Sequence, residues 1–162
     1  MERVVEPLAA LVVRARREDV EVVYVNDNYG DWNSSQEQLA EAAMEGARPD
    51  LLEPGLPPDH ASFVINARHN IFYGTPLEYL LWERGVDHVV LAGQVTEHFT
   101  LYSALDAYVR RLSVSVPRDR VAHIHEHLAD AALEMMESNM GAELAPCAEC
   151  SLLPDARAGA SR

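Results

Sequence analysis

Lysine is missing from the 162 residues; all 13 basic side chains are arginine. A compositional preference of the source genome accounts for such a gap, but it also means that no ammonium within these residues can assist a reaction. Positive charge of any kind is scarce. Against 26 acidic residues it leaves a formal net charge of −13, which argues against a nucleic-acid surface, where clustered cations meet phosphates. It equally disfavours anionic membranes. Only two cysteines occur, Cys147 and Cys150, too few for a disulfide scaffold. No apolar run approaches the ~18 residues of a membrane span. The first residues show no basic stretch leading into an apolar one, so no signal peptide is visible and the cytoplasm is the expected location.

The remaining composition is that of a globular domain. Hydrophobic residues make up 48%, and a chain of about 150 residues hides close to 70% of its unfolded surface. One domain is expected over residues 1–145, with 146–162, rich in small residues, as a flexible tail.

Periodicity divides the chain into alternating elements. Leu8, Leu11, Val12 and Ala15 recur at helical spacing over 7–17. VEVVYVN (20–26) is β-branched and almost continuously apolar, as a strand covered on both faces is. A helix follows at 36–46, and 48–59 holds four prolines and reads as irregular. Further strands are predicted at 62–66, 88–92 and 112–116, with a short last one at 142–144. Helices are predicted at 75–84, opened by Thr75-Pro76 and closed by Gly85; at 97–111; and at 128–139, with Leu128, Ala131, Ala132, Met135 and Met136 inward and Gly141 capping the end. Strand–helix alternation implies an α/β fold: a three-layer parallel sheet with helices on both faces and right-handed crossovers. Sites in such sheets form beyond the carboxyl ends of the strands, which singles out the loops 26–35, 66–75, 93–99 and 118–127.

VVYVNDNYGDW (22–32), ARHNIFYGTPL (67–77), LAGQVTEHFTLYSALDAY (91–108) and VPRD (116–119) together resemble the isochorismatase-like cysteine hydrolases in order and spacing, over about residues 8–144. The resemblance implies a six-stranded parallel sheet and hydrolysis of amides such as nicotinamide or N-carbamoyl compounds, or of the vinyl ether of isochorismate. It also implies a catalytic aspartate after the first strand, a lysine before the Arg-His segment, and a nucleophilic cysteine opening the helix after the G-x-x-T-[DE] turn. A thiolate at a helix N-terminus beside a cation and a base is an activated nucleophile. In this chain the cysteine position falls on Phe99 and the lysine position on Asn66, and the hydroxyl residue after Arg68-His69 is Asn70. A member without the cysteine-dependent chemistry is therefore expected.

The aspartate-bearing strand would precede residues 7–17 and lie mid-sheet between 20–26 and 88–92, yet only six residues precede Pro7. Each unmade buried backbone bond costs about 1–3 kcal/mol, so an empty strand position rivals the ~5–15 kcal/mol that holds a domain together. A start assigned too late, closure of the two halves, or a strand supplied by a partner would each relieve this; the first is favoured.

Several residues carry two readings. Phe99 stacks on a substrate or plugs a dead site, the latter favoured. Asp27, Asn28, Asp31 and Trp32 line a pocket or serve the turn around Gly30. Arg68 and His69, ahead of Phe72 and Tyr73, hold an anionic group, or Arg68 pairs with an acidic neighbour, the latter favoured. Thr96 follows a peptide, Gln94–Val95, that is cis in the family. Glu97 and His98 are the candidate acids or bases for hydrolysis without a nucleophilic cysteine; Glu97 alternatively serves nearby backbone or the helix N-terminus. The run His123-x-His125-x-His127 and the Cys147-x-x-Cys150 pair are a weak zinc signal, and no histidine occurs before His60, so no metal and no cofactor are expected. The expected partners are a small-molecule ligand and further copies of the chain.

Overall fold

The computed structural model describes residues 2–31, 33–58 and 60–153. Helix α1 (Glu2–Arg17) begins earlier than its apolar spacing suggests, because Val4 and Val5 are buried along with Leu11 and Ala15 and carry the helix through Pro7. Strand β1 (Val23–Asp27) follows. Helix α2 (Gln36–Met44) opens with a capping box between Ser35 and Gln38, and α3 (Pro49–Leu52) is a single turn. Strand β2 (Ser62–Asn66) pairs parallel with β1 in the register Val23–Ser62 to Asp27–Asn66. Helix α4 (Leu77–Glu83) opens where Thr75 Oγ1 accepts the N–H of Leu77 (3.3 Å) and ends before Gly85 at φ 64°.

Strands β3 (His88–Val90) and β4 (Gly93–Gln94) lead into one wide helical turn, Thr96–Thr100, and then helix α5 (Leu101–Val109). β5 (Ser113–Ser115) pairs parallel with β3, and β6 (Val121–Ala122) with β4. The short strand expected at 142–144 is reduced to one parallel bridge, Ser115 to Glu143. Helix α6 (Glu126–Met140) ends on Gly141 at φ 65°, the left-handed position that glycine takes without strain.

The main core joins Phe72, Leu77, Ala104, Ala107, Val114, Val116, Ala132 and Met136, with Val23, Val89 and Leu91 against it. A second core joins Leu11, Ala15, Cys147 and Leu152, with Val20, Val22 and Val90. The segment leading into β1 and strand β3 thus each send neighbouring residues into the same two apolar layers: Val22 and Val90 into the second core, Val23 and Val89 into the first. Among the described residues, however, no ladder joins them: β1 pairs only with β2, and β3 only with β5. This is the place where the resemblance leaves an unfilled strand. Both strands are half-buried rather than fully covered.

Two expectations are corrected. On α6 the buried residues are Ala129, Ala132 and Met136, while Leu128 and Met135 are 44% and 46% exposed. Small Ala129 and Ala132 let the helix pack closely, so the apolar stripe turns away from the two larger side chains. The segment from Pro146 is not loose as far as Leu153: Cys147, Cys150 and Leu152 are buried, and the Arg14 guanidinium donates to the carbonyls of Cys147 and Cys150. Residues 154–162 lie outside the described residues. No described helix is long and apolar enough to cross a membrane.

Candidate functional site

The site is built from the end of β2 outward. Asn66 is 1% exposed, and its Nδ2 donates to the carbonyls of Arg68 and Asn70. That clamp turns the chain through Arg68, held at φ 69°. Asn70 then ties the loop to α5: its Nδ2 donates to Asp106 Oδ2 (2.7 Å) and to the Tyr102 carbonyl (3.3 Å), and its Oδ1 accepts the N–H of Phe72 (2.8 Å). Asp106 also pairs with Arg110 (3.1 Å). The result is a cavity of about 310 Å³ lined by Arg68, His69, Asn70, Tyr73, Tyr102 and Asp106. A larger groove, about 820 Å³, opens at the other ends of β1 and β2, near Arg16, Val22, Tyr24 and His60. It holds none of the predicted site residues and lies away from the carboxyl ends where such sheets bind ligands.

Beside the smaller cavity, rings from two loops meet. His69 stacks on His98 (5.5 Å between centroids) and receives Phe99 edge-on (5.1 Å, 70°), while His98 lies over Tyr102 (6.4 Å). The wide turn that carries His98 and Phe99 closes with the N–H of Thr100 on the carbonyl of Val95 (3.1 Å). The peptide Gln94–Val95 before it is cis.

Thr96 and Glu97 point the other way. Thr96, 1% exposed, donates its hydroxyl to the Ala122 carbonyl (2.9 Å). Glu97, 6% exposed, accepts the backbone N–H groups of Ile124 (3.0 Å) and His125 (2.7 Å) on Oε1. Those groups open α6, whose cap residue His125 makes no capping bond with its own side chain, so a neighbouring carboxylate supplies the anion that a helix N-terminus favours. Burial alone would push the Glu97 carboxyl up; the N–H groups of His125, Glu97 itself and Ile124, with His98 nearby, outweigh it and hold the carboxyl below its ordinary value. Glu97 therefore carries charge rather than a transferable proton at neutral pH.

The first loop is turn chemistry. Asp27 Oδ1 accepts the N–H of Tyr29 (2.7 Å) and Asn28 Oδ1 that of Gly30 (2.9 Å). Asn28 is nonetheless buried, and its N–H donates to the carbonyl of Asn66 (2.9 Å), so this loop braces the site. Trp32 lies outside the described residues. Phe72 does not line the cavity: it is 4% exposed and sits in the core beneath the Arg110 guanidinium (4.7 Å). Arg68 makes no ion pair among the described residues, so the acidic partner considered for it is not found. Tyr73 is exposed at the cavity edge. His125 and His127 are neighbours (6.2 Å), but among the described residues no three histidines, cysteines or acids gather as metal ligands.

Asn70, Tyr102 and Asp106 were not singled out as site residues by sequence reasoning. The available signal was the spacing of His98, Tyr102 and Asp106, four apart on one helical face. Chemically, the cavity offers the Arg68 guanidinium, one imidazole, two phenol rings, and the Asn70 amide and Asp106 carboxylate already bonded to each other. It offers no hydroxyl of serine or threonine, no thiol and no amine among its lining residues.

Comparison with known proteins follows the same lines. Residues 1–149 match the isochorismatase domain. YaaI of Bacillus subtilis, an isochorismatase family protein, is 31% identical over 143 residues, 88% of this chain and 79% of the relative. Among solved structures, N-carbamoylsarcosine amidase from Thermoplasma acidophilum superposes with a TM-score of 0.71 at 25% identity, covering 92% of this chain and 85% of that one. A nicotinamidase from Staphylococcus aureus gives 0.69 at 22% identity, covering 88% and 84%, a likeness of fold.

Proposed function

The chain belongs to the isochorismatase family, and from that premise we propose that it is a small-molecule-binding member without the cysteine-dependent amide hydrolysis that the resemblance implies. One observation carries this reading. The side chain at the nucleophile position is Phe99, and its ring meets His69 edge-on beside the cavity. A phenyl ring has neither a lone pair to attack a carbonyl nor a proton to return to a leaving amine. Neither cysteine of the chain compensates, since both are buried in the segment packed against α1, and Asn66 stands where the lysine is expected.

The ligand class follows from Arg68. Its planar fork is free of acidic partners among the described residues and suits a carboxylate, while His69, Tyr73 and Tyr102 suit a flat ring. The ligand proposed is a small aromatic or unsaturated carboxylate. Purified protein incubated with nicotinamide or N-carbamoylsarcosine is expected to release no ammonia. Calorimetric titration with nicotinate is expected to show binding that weakens roughly 5–10-fold in Arg68→Ala, about 1 kcal/mol for an exposed charged contact. Ammonia release that co-purifies with the protein through several columns and is lost in His69→Ala would overturn the reading.

A second reading, acid–base hydrolysis of a C–O or C–N bond without a covalent intermediate, is favoured by the stacked pair His69 and His98 beside the cavity. It assigns the proton to His98, because the Glu97 carboxylate is engaged at α6. Isochorismate turnover abolished by His98→Ala and kept by Glu97→Gln would support it.

A further inference from the structure

The two cysteines lie outside the site just described and have different surroundings. The turn that carries them is helical: the N–H groups of Glu149 (2.8 Å) and Cys150 (3.0 Å) both reach the carbonyl of Pro146. Residues three apart in a helical turn hold their Cα atoms about 5 Å apart, within the span of a disulfide. Both residues have reduced thiols. The Arg14 guanidinium caps the turn at the Cys147 and Cys150 carbonyls and places its Nη1 3.8 Å from Cys147 Sγ. Asp119 fixes the other side by accepting the Cys147 N–H (2.9 Å). Cys150 Sγ faces acceptors instead, the Ser151 carbonyl at 3.4 Å and Glu143 Oε2 at 3.6 Å, and that carboxylate oxygen also accepts the Ser115 hydroxyl (2.7 Å). Burial pushes the Cys150 thiol up to about 11, opposed by the Ser115 hydroxyl and assisted by the charge of Glu143.

We propose that Cys147 and Cys150 form a redox-active dithiol that a small hydroperoxide oxidises to an intrachain disulfide, Cys147 attacking and Cys150 resolving. A cation stands beside the sulfur that must become an anion to attack, and a base beside the sulfur that must give up its proton second. In the first step Cys147 sulfur bonds to one peroxide oxygen and the O–O bond breaks; the released hydroxide takes up the Cys147 proton and leaves as water. In the second step the Cys150 thiol loses its proton by way of Glu143 and attacks Cys147 sulfur. The S–O bond breaks, and the leaving hydroxide takes that proton as a second water. Two thiols and one hydrogen peroxide become one disulfide and two waters. The sulfurs are covered, at 3% and 1% residue exposure, whereas Ala148 and Glu149 between them face solvent. The proposed oxidant is therefore a small one, of two heavy atoms, which needs far less opening of that cover than a bulky disulfide does.

The test treats the full chain with a small excess of hydrogen peroxide, then denatures it, alkylates with iodoacetamide and maps the arginine-bounded peptide spanning residues 121–157. The wild type is expected to lose both alkyl adducts and two hydrogens. Cys150→Ser is expected to give a dimedone-trappable sulfenic acid at Cys147, and Cys147→Ser to leave Cys150 alkylatable. Glutathione disulfide, the bulky reagent, is expected to add to neither cysteine of the native chain. The proposal is overturned if both native thiols stay alkylatable under peroxide that oxidises the denatured chain. It is equally overturned if dimedone traps Cys150 in Cys147→Ser and nothing in Cys150→Ser.

Discussion

Replacing Glu97 separates a structural carboxylate from a catalytic one. Its Oε1 accepts two backbone N–H groups, from Ile124 and His125, at the start of α6. Bonds to a charged acceptor contribute about 1.5–3 kcal/mol each, and donors left unpaired add their desolvation. Ile124 and His125 are exposed residues, so water partly replaces the acceptor and the lower end applies. Glu97→Ala is then expected to cost about 3 kcal/mol, a lowering of the melting midpoint of roughly 6–12 °C for a chain of this length. Glu97→Gln keeps a carbonyl oxygen for both donors and is expected to cost about 1 kcal/mol. The pH dependence follows from the direction of the shift. The folded carboxyl titrates below its ordinary value of 4.5, so the unfolded chain takes up the proton first as pH falls. The stabilisation is complete above about 4.5 and is lost as pH drops through the folded value. Urea unfolding of wild type and Glu97→Gln at neutral pH and near pH 3 should therefore show the difference shrinking in acid. A loss under about 1 kcal/mol in Glu97→Ala, or a difference unchanged in acid, would refute the role assigned to this carboxylate.

Asn66→Ala should cost about 2–4 kcal/mol in urea unfolding, from two severed side-chain bonds to the carbonyls of Arg68 and Asn70 in a buried site. Asn66→Lys should be at least as harmful, because an ammonium would enter a 1% exposed position; a neutral outcome for either would mean that the clamp does not shape the loop. Among the described residues no strand pairs with the edges of β1 and β3 that face each other; if another copy covers them, sedimentation is expected to show an oligomer at micromolar concentration. A monomer at every concentration up to about a millimolar would remove that expectation.

The succession of elements was legible because it depends on local pattern. β-branched runs gave β1, β2, β3 and β5 to within a few residues, and Thr75, Gly85 and Gly141 marked helix ends through the conformations those residues favour. What local pattern does not encode is which of two neighbouring faces wins. On α6 both Leu128/Ala131/Met135 and Ala129/Ala132/Met136 are apolar stripes at helical spacing, and the second is buried because Ala104 and Ala107 on α5 are also small. The segment from Pro146 is a related case: its small residues read as loose, while the contacts on Cys147 and Cys150 come from Asp119 and from Arg14, the latter more than 130 positions away in sequence.

The site divides in the same way. Arg68, His69, His98 and Phe99 were foreseeable, since each sits on a loop beyond a strand and the resemblance fixes their order. Glu97 and Thr96 share that loop yet are turned inward to serve Ile124, His125 and Ala122. Sequence spacing alone does not distinguish a carboxylate that meets a ligand from one that caps the next helix. The difference has a physical consequence. With Glu97 committed to α6 and Asp106 shared between Asn70 and Arg110, both nearby carboxylates have partners, and among the described residues Arg68 at the cavity pairs with none. In a chain with a formal net charge of −13, the surrounding field repels anions that this guanidinium does not hold directly. On the reading proposed above, the ligand is one small enough to bring a carboxylate to Arg68 and flat enough to lie against the neighbouring imidazole and phenol rings.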